Sequence, residues 1–127
     1  MESKFHICRH CGNLVGLIHD AGVPLMCCGT EMEALIPNTA ETGSEKHLPL
    51  ISQEENQIHV QVGAVSHPMS QDHSIQWVYL LTNQGGQRKN LCPGKAPEVT
   101  FSLCGDTPIA AYAFCNQHGL WMASIES

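Results

Sequence analysis

Four cysteines near the beginning of the sequence have the spacing of metal ligands. Cys8 and Cys11 form a C-x-x-C pair followed by glycine, and Cys27 and Cys28 are adjacent and also precede a glycine. Such turns can direct two thiolates towards one ion, and four thiolates make a tetrahedral site that accepts zinc or iron. The sequence therefore predicts a four-cysteine metal site. A structural zinc ion that stabilises a very small domain is one interpretation. The adjacent cysteine pair, which is less usual in zinc ribbons, favours iron.

A second set of potential ligands is distributed over the rest of the sequence. Its members are histidines and one cysteine in turn-rich contexts: His47, His67, His73, Cys115 and His118. Neutral imidazole and thiolate are good ligands for iron. Each of the five lies in a loop or at the edge of a predicted strand, so that separate segments could meet at one end of a fold. A second metal site is therefore indicated, although a single histidine is more often an ordinary surface or core residue.

The composition limits the classes of function. The chain has 127 residues, 43% of them apolar, and a formal net charge of −6. Its lysines and arginines form no basic run, which disfavours binding to nucleic acid or to a membrane surface. No apolar stretch approaches the roughly 18 residues of a membrane-spanning helix. The N-terminus lacks the apolar segment of a signal peptide, so we expect a cytoplasmic protein. Seven cysteines are an odd number, which excludes complete disulfide pairing and favours metal ligation.

The pattern along the chain indicates two parts. Residues 37–46 (PNTAETGSEK) are polar and carry no apolar periodicity, which is typical of a linker or exposed loop. Before this segment, residues 13–26 (NLVGLIHDAGVPLM) could form a hairpin with its turn near Ala21 and Gly22. After it, short apolar runs separated by turn residues predict several β-strands. This second pattern is typical of a β-sandwich or barrel.

Alternation with a period of two marks two sets of residues, each expected to share one face of a strand. The sets are Ile58, Val60 and Val62, and Ile75, Trp77, Tyr79 and Leu81. Residues 99–104 and 109–115 are further predicted strands, because they are rich in β-branched, aromatic and small residues.

Two cysteines, Cys92 and Cys104, belong to neither ligand set. Cys104 falls within the predicted strand at residues 99–104, and a free cysteine is often a small buried side chain. We therefore expect Cys104 to pack in the core. A redox-linked disulfide between the two is the alternative, and a reducing cytosol disfavours it.

The order of the motifs resembles that of the two-iron desulfoferrodoxins, a class of superoxide reductase. The motifs are C-x-x-C, Cys-Cys-Gly, Glu-Lys-His-x-Pro, Ser-His-Pro-Met, Asp-His and Cys-Asn-x-His-Gly-x-Trp, and they run from Cys8 to Trp121. The resemblance implies a mainly β fold. A small desulforedoxin-like iron domain would cover residues 1–37, and an immunoglobulin-like β-sandwich that carries the reductase site would cover residues 38–127.

The same resemblance implies two iron ions and assigns the ligands of each. The first iron would be held by Cys8, Cys11, Cys27 and Cys28, with zinc as the alternative metal there. The second, catalytic iron would have four equatorial histidine ligands and an axial thiolate: His47, His67, His73, His118 and Cys115.

The implied activity is the one-electron reduction of superoxide to hydrogen peroxide without release of dioxygen. The axial thiolate would donate electron density to the iron. Lys46 would attract the anionic substrate to an otherwise acidic protein, and Glu45 would be a ligand of the resting site that leaves on reduction. The first iron would relay or store electrons supplied by rubredoxin or a similar donor, and the protein would be a homodimer.

Three other functions remain open from the residues alone. One is a zinc-stapled binding module without catalysis, and another is a two-iron protein that only transfers electrons. The third is a dismutase, which would also release dioxygen. Metal content, binding of exogenous ligands and product stoichiometry distinguish them.

Overall fold

The computed structural model describes residues 4–40, 47–63 and 68–125, and these form strands and turns without a helix. The chain divides into two compact units, Met1–Ile36 and Pro37–Ser127. Within the described ranges, no helix is long and apolar enough to cross a membrane. The all-strand architecture confirms the mainly β fold class predicted from the sequence.

The described part of the first unit contains five short strands: β1 (Lys4–Ile7), β2 (Leu14–Leu17), β3 (Met26–Cys27), β4 (Thr30–Glu31) and β5 (Glu33–Leu35). β1 is the central strand of an antiparallel sheet in the order β2-β1-β5, and β3 pairs with β4. The turn between β1 and β2 carries Cys8 and Cys11. It is closed by hydrogen bonds from the Gly12 N–H to the Cys8 carbonyl and from the Cys8 N–H to the Asn13 carbonyl, both 2.8 Å.

The predicted hairpin over residues 13–26 is wrong. β2 pairs with β1, with Leu14 opposite Ile7, so that the cysteine-bearing turn is the hairpin turn. A tight turn does form near the predicted position, where Gly22 has a φ of 81° and its N–H donates to Asp20 Oδ1. The sequence pattern located this turn but did not predict the strand that precedes the first cysteine.

In the described part of the second unit, seven strands form a β-sandwich: β6 (Pro49–Glu54), β7 (Gln57–Val62), β8 (Ile75–Thr82), β9 (Gly85–Asn90), β10 (Glu98–Ser102), β11 (Pro108–Cys115) and β12 (Gly119–Ser124). One sheet has the order β10-β7-β6 and the other the order β12-β11-β8-β9, with antiparallel pairing throughout. A three-stranded and a four-stranded antiparallel sheet make an immunoglobulin-like sandwich. The predicted fold of this part is confirmed.

The core of the sandwich lies between its two sheets. Ile58, Val60 and Val62 of β7 are at most 1% exposed and pack with residues of β8, β10 and β11. The predicted alternation in this strand is confirmed. Met69 packs against the same core.

Strand β8 contains a β-bulge. Its register with β11 places Ile75 opposite Cys115 but Trp77 opposite Phe114, so that Gln76 is an extra residue on β8. An extra residue of this kind shifts the two-residue period of the strand by one position.

The bulge changes which residues of β8 face the core. Val78 and Leu80 belong to the core cluster, whereas Trp77 and Tyr79 contact aromatic rings of β11 on the opposite side of the sheet. The predicted common face therefore holds for Trp77 and Tyr79 but is wrong for Ile75, which packs in the core cluster on the other side of the sheet.

The beginning of the predicted linker is bound to the sandwich. Asn38 forms a parallel bridge with Trp121 of β12. Its N–H donates to the Leu120 carbonyl and its carbonyl accepts from the Met122 N–H, both at 2.9 Å. These bonds pair some of the backbone N–H and C=O groups of β12, which is an edge strand of its sheet. Residues 41–46 of the predicted linker lie outside the described residues.

Cys92 and Cys104 are both exposed free thiols, so the expectation that Cys104 is buried is wrong. β10 ends at Ser102, before this cysteine. Cys104 lies where the Leu103 N–H binds the Asn56 carbonyl at the turn between β6 and β7. Cys92 follows β9 at the opposite end of the sandwich. A disulfide requires Cα atoms within about 7 Å, so this fold excludes one between them.

Truncating Leu80 to alanine should lower the free energy of unfolding by about 2–5 kcal/mol, because its side chain is fully buried between the sheets. The control is Leu50→Ala, since Leu50 is 41% exposed and should change stability by less than about 1 kcal/mol. Urea unfolding of both variants, followed by tryptophan fluorescence, measures the difference. Equal effects would mean that the core face of β8 is assigned incorrectly.

Candidate metal centres

The four cysteines of the first unit converge on one point. The sulfur atoms of Cys8, Cys11, Cys27 and Cys28 all lie within 4.8 Å of one another. Cys11 and Cys27 are separated by 3.6 Å between sulfurs, and Cys27 and Cys28 by 4.0 Å. Four sulfurs placed tetrahedrally at 2.3 Å from one ion would be about 3.8 Å apart. The spacing therefore fits a single tetrahedral metal ion.

Backbone conformation brings the adjacent pair to the same side. Neighbouring side chains of an extended strand point to opposite faces. Cys28 instead has a φ of 54° and Gly29 a φ of 75°, which are left-handed conformations that non-glycine residues rarely adopt. The chain turns at Cys28, so that both thiols of the pair face the other two cysteines.

The protonation properties of the thiols also fit a metal site. The Cys11 N–H donates to Cys8 Sγ, and this hydrogen bond above all lowers the pKa of Cys8 to about 6. Interaction with the Cys11 side chain, and then with Cys8, raises the pKa of Cys28 to about 12. The Cys11 side chain likewise raises the pKa of Cys27. The Cys8 thiol therefore ionises readily, whereas Cys27 and Cys28 lose their protons less readily. A bound cation would favour the ionised form of all of these thiols.

Asn13 is a residue of this site that the sequence motifs did not predict. Its backbone N–H donates to Cys11 Sγ at 3.5 Å, and its side-chain Nδ2 donates to Cys27 Sγ at 3.6 Å. Hydrogen bonds to coordinating sulfur tune the electronic properties of a metal centre. Its position directly after Cys-Gly was the available signal.

Four of the second set of residues also converge, at one end of the sandwich. His47 precedes β6, His73 precedes β8, Cys115 ends β11, and His118 lies in the turn before β12. Their ligand atoms all lie within 4.8 Å of one another. His118 Nδ1 is 3.1 Å from His47 Nε2, 3.2 Å from His73 Nε2 and 3.7 Å from Cys115 Sγ. Three loops and one strand end thus supply one compact donor set.

The donor set spans the boundary between core and solvent. Cys115 is fully buried and His47 is 8% exposed, whereas His118 is exposed and His73 is half-buried. The sulfur therefore approaches from the core side, while the rings of His73 and His118 border solvent. A small molecule can reach this end of the sandwich.

Trp121 links two of the histidines. Its ring stacks on that of His47, with centroids 4.8 Å apart and an interplanar angle of 15°. Its Nε1–H donates to the His118 carbonyl at 3.1 Å. The tryptophan thereby fixes the ring plane of one donor and the backbone of another.

Three predicted site residues, Glu45, Lys46 and His67, lie outside the described residues.

The described donor atoms indicate which metals the two sites could bind. Four thiolates suit iron or zinc, and three imidazoles with one thiolate suit a transition metal such as iron. Both sets fit the metals predicted from the sequence.

Comparison with known proteins identifies the family. The family model described as Desulfoferrodoxin matches residues 39–124. A desulfoferrodoxin of Syntrophotalea carbinolica is 42% identical over 123 residues, which cover 95% of this chain and 97% of that protein.

Solved structures agree with this assignment. The superoxide reductase from Treponema pallidum is 35% identical with a TM-score of 0.84, and the match covers 96% of this chain and 98% of that one. The one-iron superoxide reductase from Giardia intestinalis is 28% identical with a TM-score of 0.57, covering 65% of this chain and 99% of that one. The resemblance seen in the motifs is thus confirmed, and the chain belongs to the desulfoferrodoxin family.

Proposed function

We propose that this protein is a superoxide reductase. Superoxide would receive one electron and two protons and leave as hydrogen peroxide, without release of dioxygen. The observation that carries the proposal is the convergence of three imidazoles and one buried cysteine sulfur at a solvent-accessible end of the sandwich. Similarity to the Treponema pallidum superoxide reductase over almost the whole chain supports it.

The proposed ligands of the catalytic iron are four histidines and one cysteine: His47, His67, His73, His118 and Cys115. Iron bound there would supply the electron. Burial of Cys115 keeps its sulfur away from water, and a thiolate ligand donates electron density to the metal. Exposure of His118 leaves a solvent path by which a small anion arrives and the product departs.

Two residues directly before His47 complete the proposed site. Lys46 would draw superoxide towards the metal, since a local cation raises the concentration of an anion beside a protein of net charge −6. Glu45 would supply a carboxylate that occupies the substrate position in the resting site and yields it on reduction. Their adjacency in sequence to a described donor supports both roles.

The first unit would be an iron domain that relays or stores electrons. Cys11 and Cys28 are exposed, which allows a redox partner to approach the centre closely. Rubredoxin or a similar small electron carrier is the proposed donor, and zinc is the alternative metal in this site. A cytoplasmic location, where thiols stay reduced, suits seven free cysteines.

We propose a homodimer formed through the first unit. Five of the six large hydrophobic side chains that are exposed in the described residues belong to this unit: Val15, Ile18, Val23, Met26 and Ile36. A unit of 36 residues is below the size at which a chain usually folds without metals or oligomerisation. A second copy would cover these side chains.

Replacing Ile18 and Val23 together with glutamate should convert the dimer to a monomer, because buried carboxylates would face each other across the interface. Sedimentation of the metal-loaded protein measures the mass. Leu50→Glu, which adds a charge on the second unit, is the control and should leave the dimer intact. A double variant that sediments like the wild type would place the interface elsewhere.

Superoxide decay tests the activity. Reduced protein should shorten the lifetime of superoxide relative to buffer and to protein stripped of metal. Azide should shift the absorption of the second centre, because the proposed site has one position for an exogenous ligand. If azide leaves the absorption of the second centre unchanged and the protein does not accelerate superoxide decay, the protein only transfers electrons.

A further inference from the structure

Two loops that carry ligands of the second centre are joined by a side chain that is not itself a ligand. His73 lies in the loop before β8, and Cys115 and His118 bracket the turn before β12. A metal site requires such loops to keep a fixed separation, because metal–ligand distances tolerate only a few tenths of an ångström. Asn116 lies between Cys115 and His118 in sequence, and its side chain connects the turn that carries them to the loop that carries His73.

The amide of Asn116 binds the backbone on both sides of His73. Its Oδ1 accepts a hydrogen bond from the Ser74 N–H at 3.0 Å, and its Nδ2 donates to the Asp72 carbonyl at 2.9 Å. The Asn116 N–H adds a longer bond to the Ser74 carbonyl at 3.3 Å. Gln117 Nε2 also donates to the Asp72 carbonyl, at 2.8 Å.

The orientation of this amide is fixed by its partners. A backbone N–H can only donate and a backbone carbonyl can only accept. The oxygen of the Asn116 amide must therefore face Ser74 and its nitrogen must face Asp72. No other side chain of similar size offers one acceptor and one donor in this geometry, so the contact is specific to asparagine.

The loop that carries His73 also has hydrogen bonds within itself. The His73 N–H donates to Ser70 Oγ at 3.2 Å, and the Ser70 N–H donates to the His73 carbonyl at 3.0 Å. These bonds shape the loop internally, but they do not connect it to β11 or β12. The pairing of β8 with β11 places Ile75 opposite Cys115. Beyond that pairing, the side chains of Asn116 and Gln117 connect the loop of His73 to the turn that carries His118.

We propose that Asn116 is a positioning residue that holds the His73 loop in register with Cys115 and His118, so that the imidazole meets the metal without reorganisation. It neither binds the metal nor touches substrate. The proposal rests on the metal site of the proposed function. Loss of the amide should weaken iron binding at the second centre by about 10–100-fold, the usual effect of removing a group that orients a ligand.

The chain contains a matched control at the other end of the same sheet. Asn83 Oδ1 accepts a hydrogen bond from the Thr107 N–H at 2.8 Å, where β8 ends and β11 begins. Asn83→Ala therefore removes the same kind of bond between the same two strands, far from the donors. Gln117→Ala is a graded variant, because it removes one of the two donors to the Asp72 carbonyl.

The experiment uses full-length, iron-loaded protein under anaerobic conditions, challenged with a coloured ferrous chelator. Asn116→Ala should release iron from the second centre about 10–100 times more readily than wild type, with a smaller change for Gln117→Ala and none for Asn83→Ala. Release from the four-cysteine centre of the same molecule is the internal reference and should not change. Amide exchange at Ser74 should accelerate only in the Asn116 variant.

The outcomes test the positioning role of Asn116 separately from the proposed metal site. If wild type holds iron at the second centre and Asn116→Ala releases it no faster than Asn83→Ala does, Asn116 is structural and the positioning role is wrong. If Asn116→Ala fails to fold, the same comparison between Gln117→Ala and Asn83→Ala decides. Wild-type protein that takes up no iron at the second centre would overturn the proposed function as well.

Discussion

Replacement of Cys115 by serine is expected to lower the rate of superoxide reduction by more than about 100-fold, because a ligand has a larger effect than the groups that orient it. The variant loses the proposed thiolate ligand, and a thiolate ligand donates electron density to the iron that it binds. It should also lose the sulfur-to-metal absorption of the second centre while keeping that of the four-cysteine centre. Stopped-flow mixing of reduced protein with superoxide, followed optically, measures both quantities.

Folding of the Cys115 variant is expected to survive. A buried hydroxyl without a partner costs about 1–3 kcal/mol, less than the stability of an ordinary domain. Cys104→Ser is the control, since Cys104 is exposed and outside both donor sets, and it should retain full activity. A Cys115→Ser protein that reduces superoxide at the rate of the wild type would show that this thiolate has no role in the reaction.

Removal of one ligand from the first centre, by Cys8→Ser, is expected to unfold the first unit and to leave the second folded. The buried hydrophobic side chains in the described part of the first unit are Phe5, Cys8 and Met32, too few to hold a chain of this size together. Metal binding contributes about 10–16 kcal/mol in small structural zinc sites. Most of the stability of the unit should therefore depend on its metal.

Hydrogen exchange resolves the two units in one experiment. Amides of β1, β2 and β5 should lose protection in Cys8→Ser and in chelator-treated wild type, while amides of β7, β8 and β11 stay protected. Cys92→Ser, which removes an exposed thiol outside both sites, is the matched control. Protection of the β1–β2–β5 sheet that persists without metal would show that the unit folds on its own side chains.

The sequence predicted most of the metal-ligating residues. Ligand residues are identified by type and spacing, and both described donor sets contain only residues proposed from the motifs. The alternation of Ile58, Val60 and Val62 predicted a core face, because β7 is a regular strand with one buried side. The sandwich followed from several such runs separated by turns.

What the sequence did not predict depends on contacts between distant segments. The bulge at Gln76 arises from the register of β8 with β11, which no local pattern encodes. The hairpin around Cys8 and Cys11 requires the strand that precedes the motif, and four residues give too short a pattern to identify. Asn38 and Asn116 make their bonds to residues far along the chain, so their roles became visible only in the fold.

Product stoichiometry tests the central claim most directly. Anaerobically reduced protein is mixed with a known amount of superoxide, and hydrogen peroxide, dioxygen and the oxidation state of the iron are quantified together. The proposed reductase predicts one peroxide for each superoxide, no dioxygen, and one equivalent of iron oxidised. Half as much peroxide with a matching amount of dioxygen, formed faster than in buffer, would identify a dismutase and contradict the proposal.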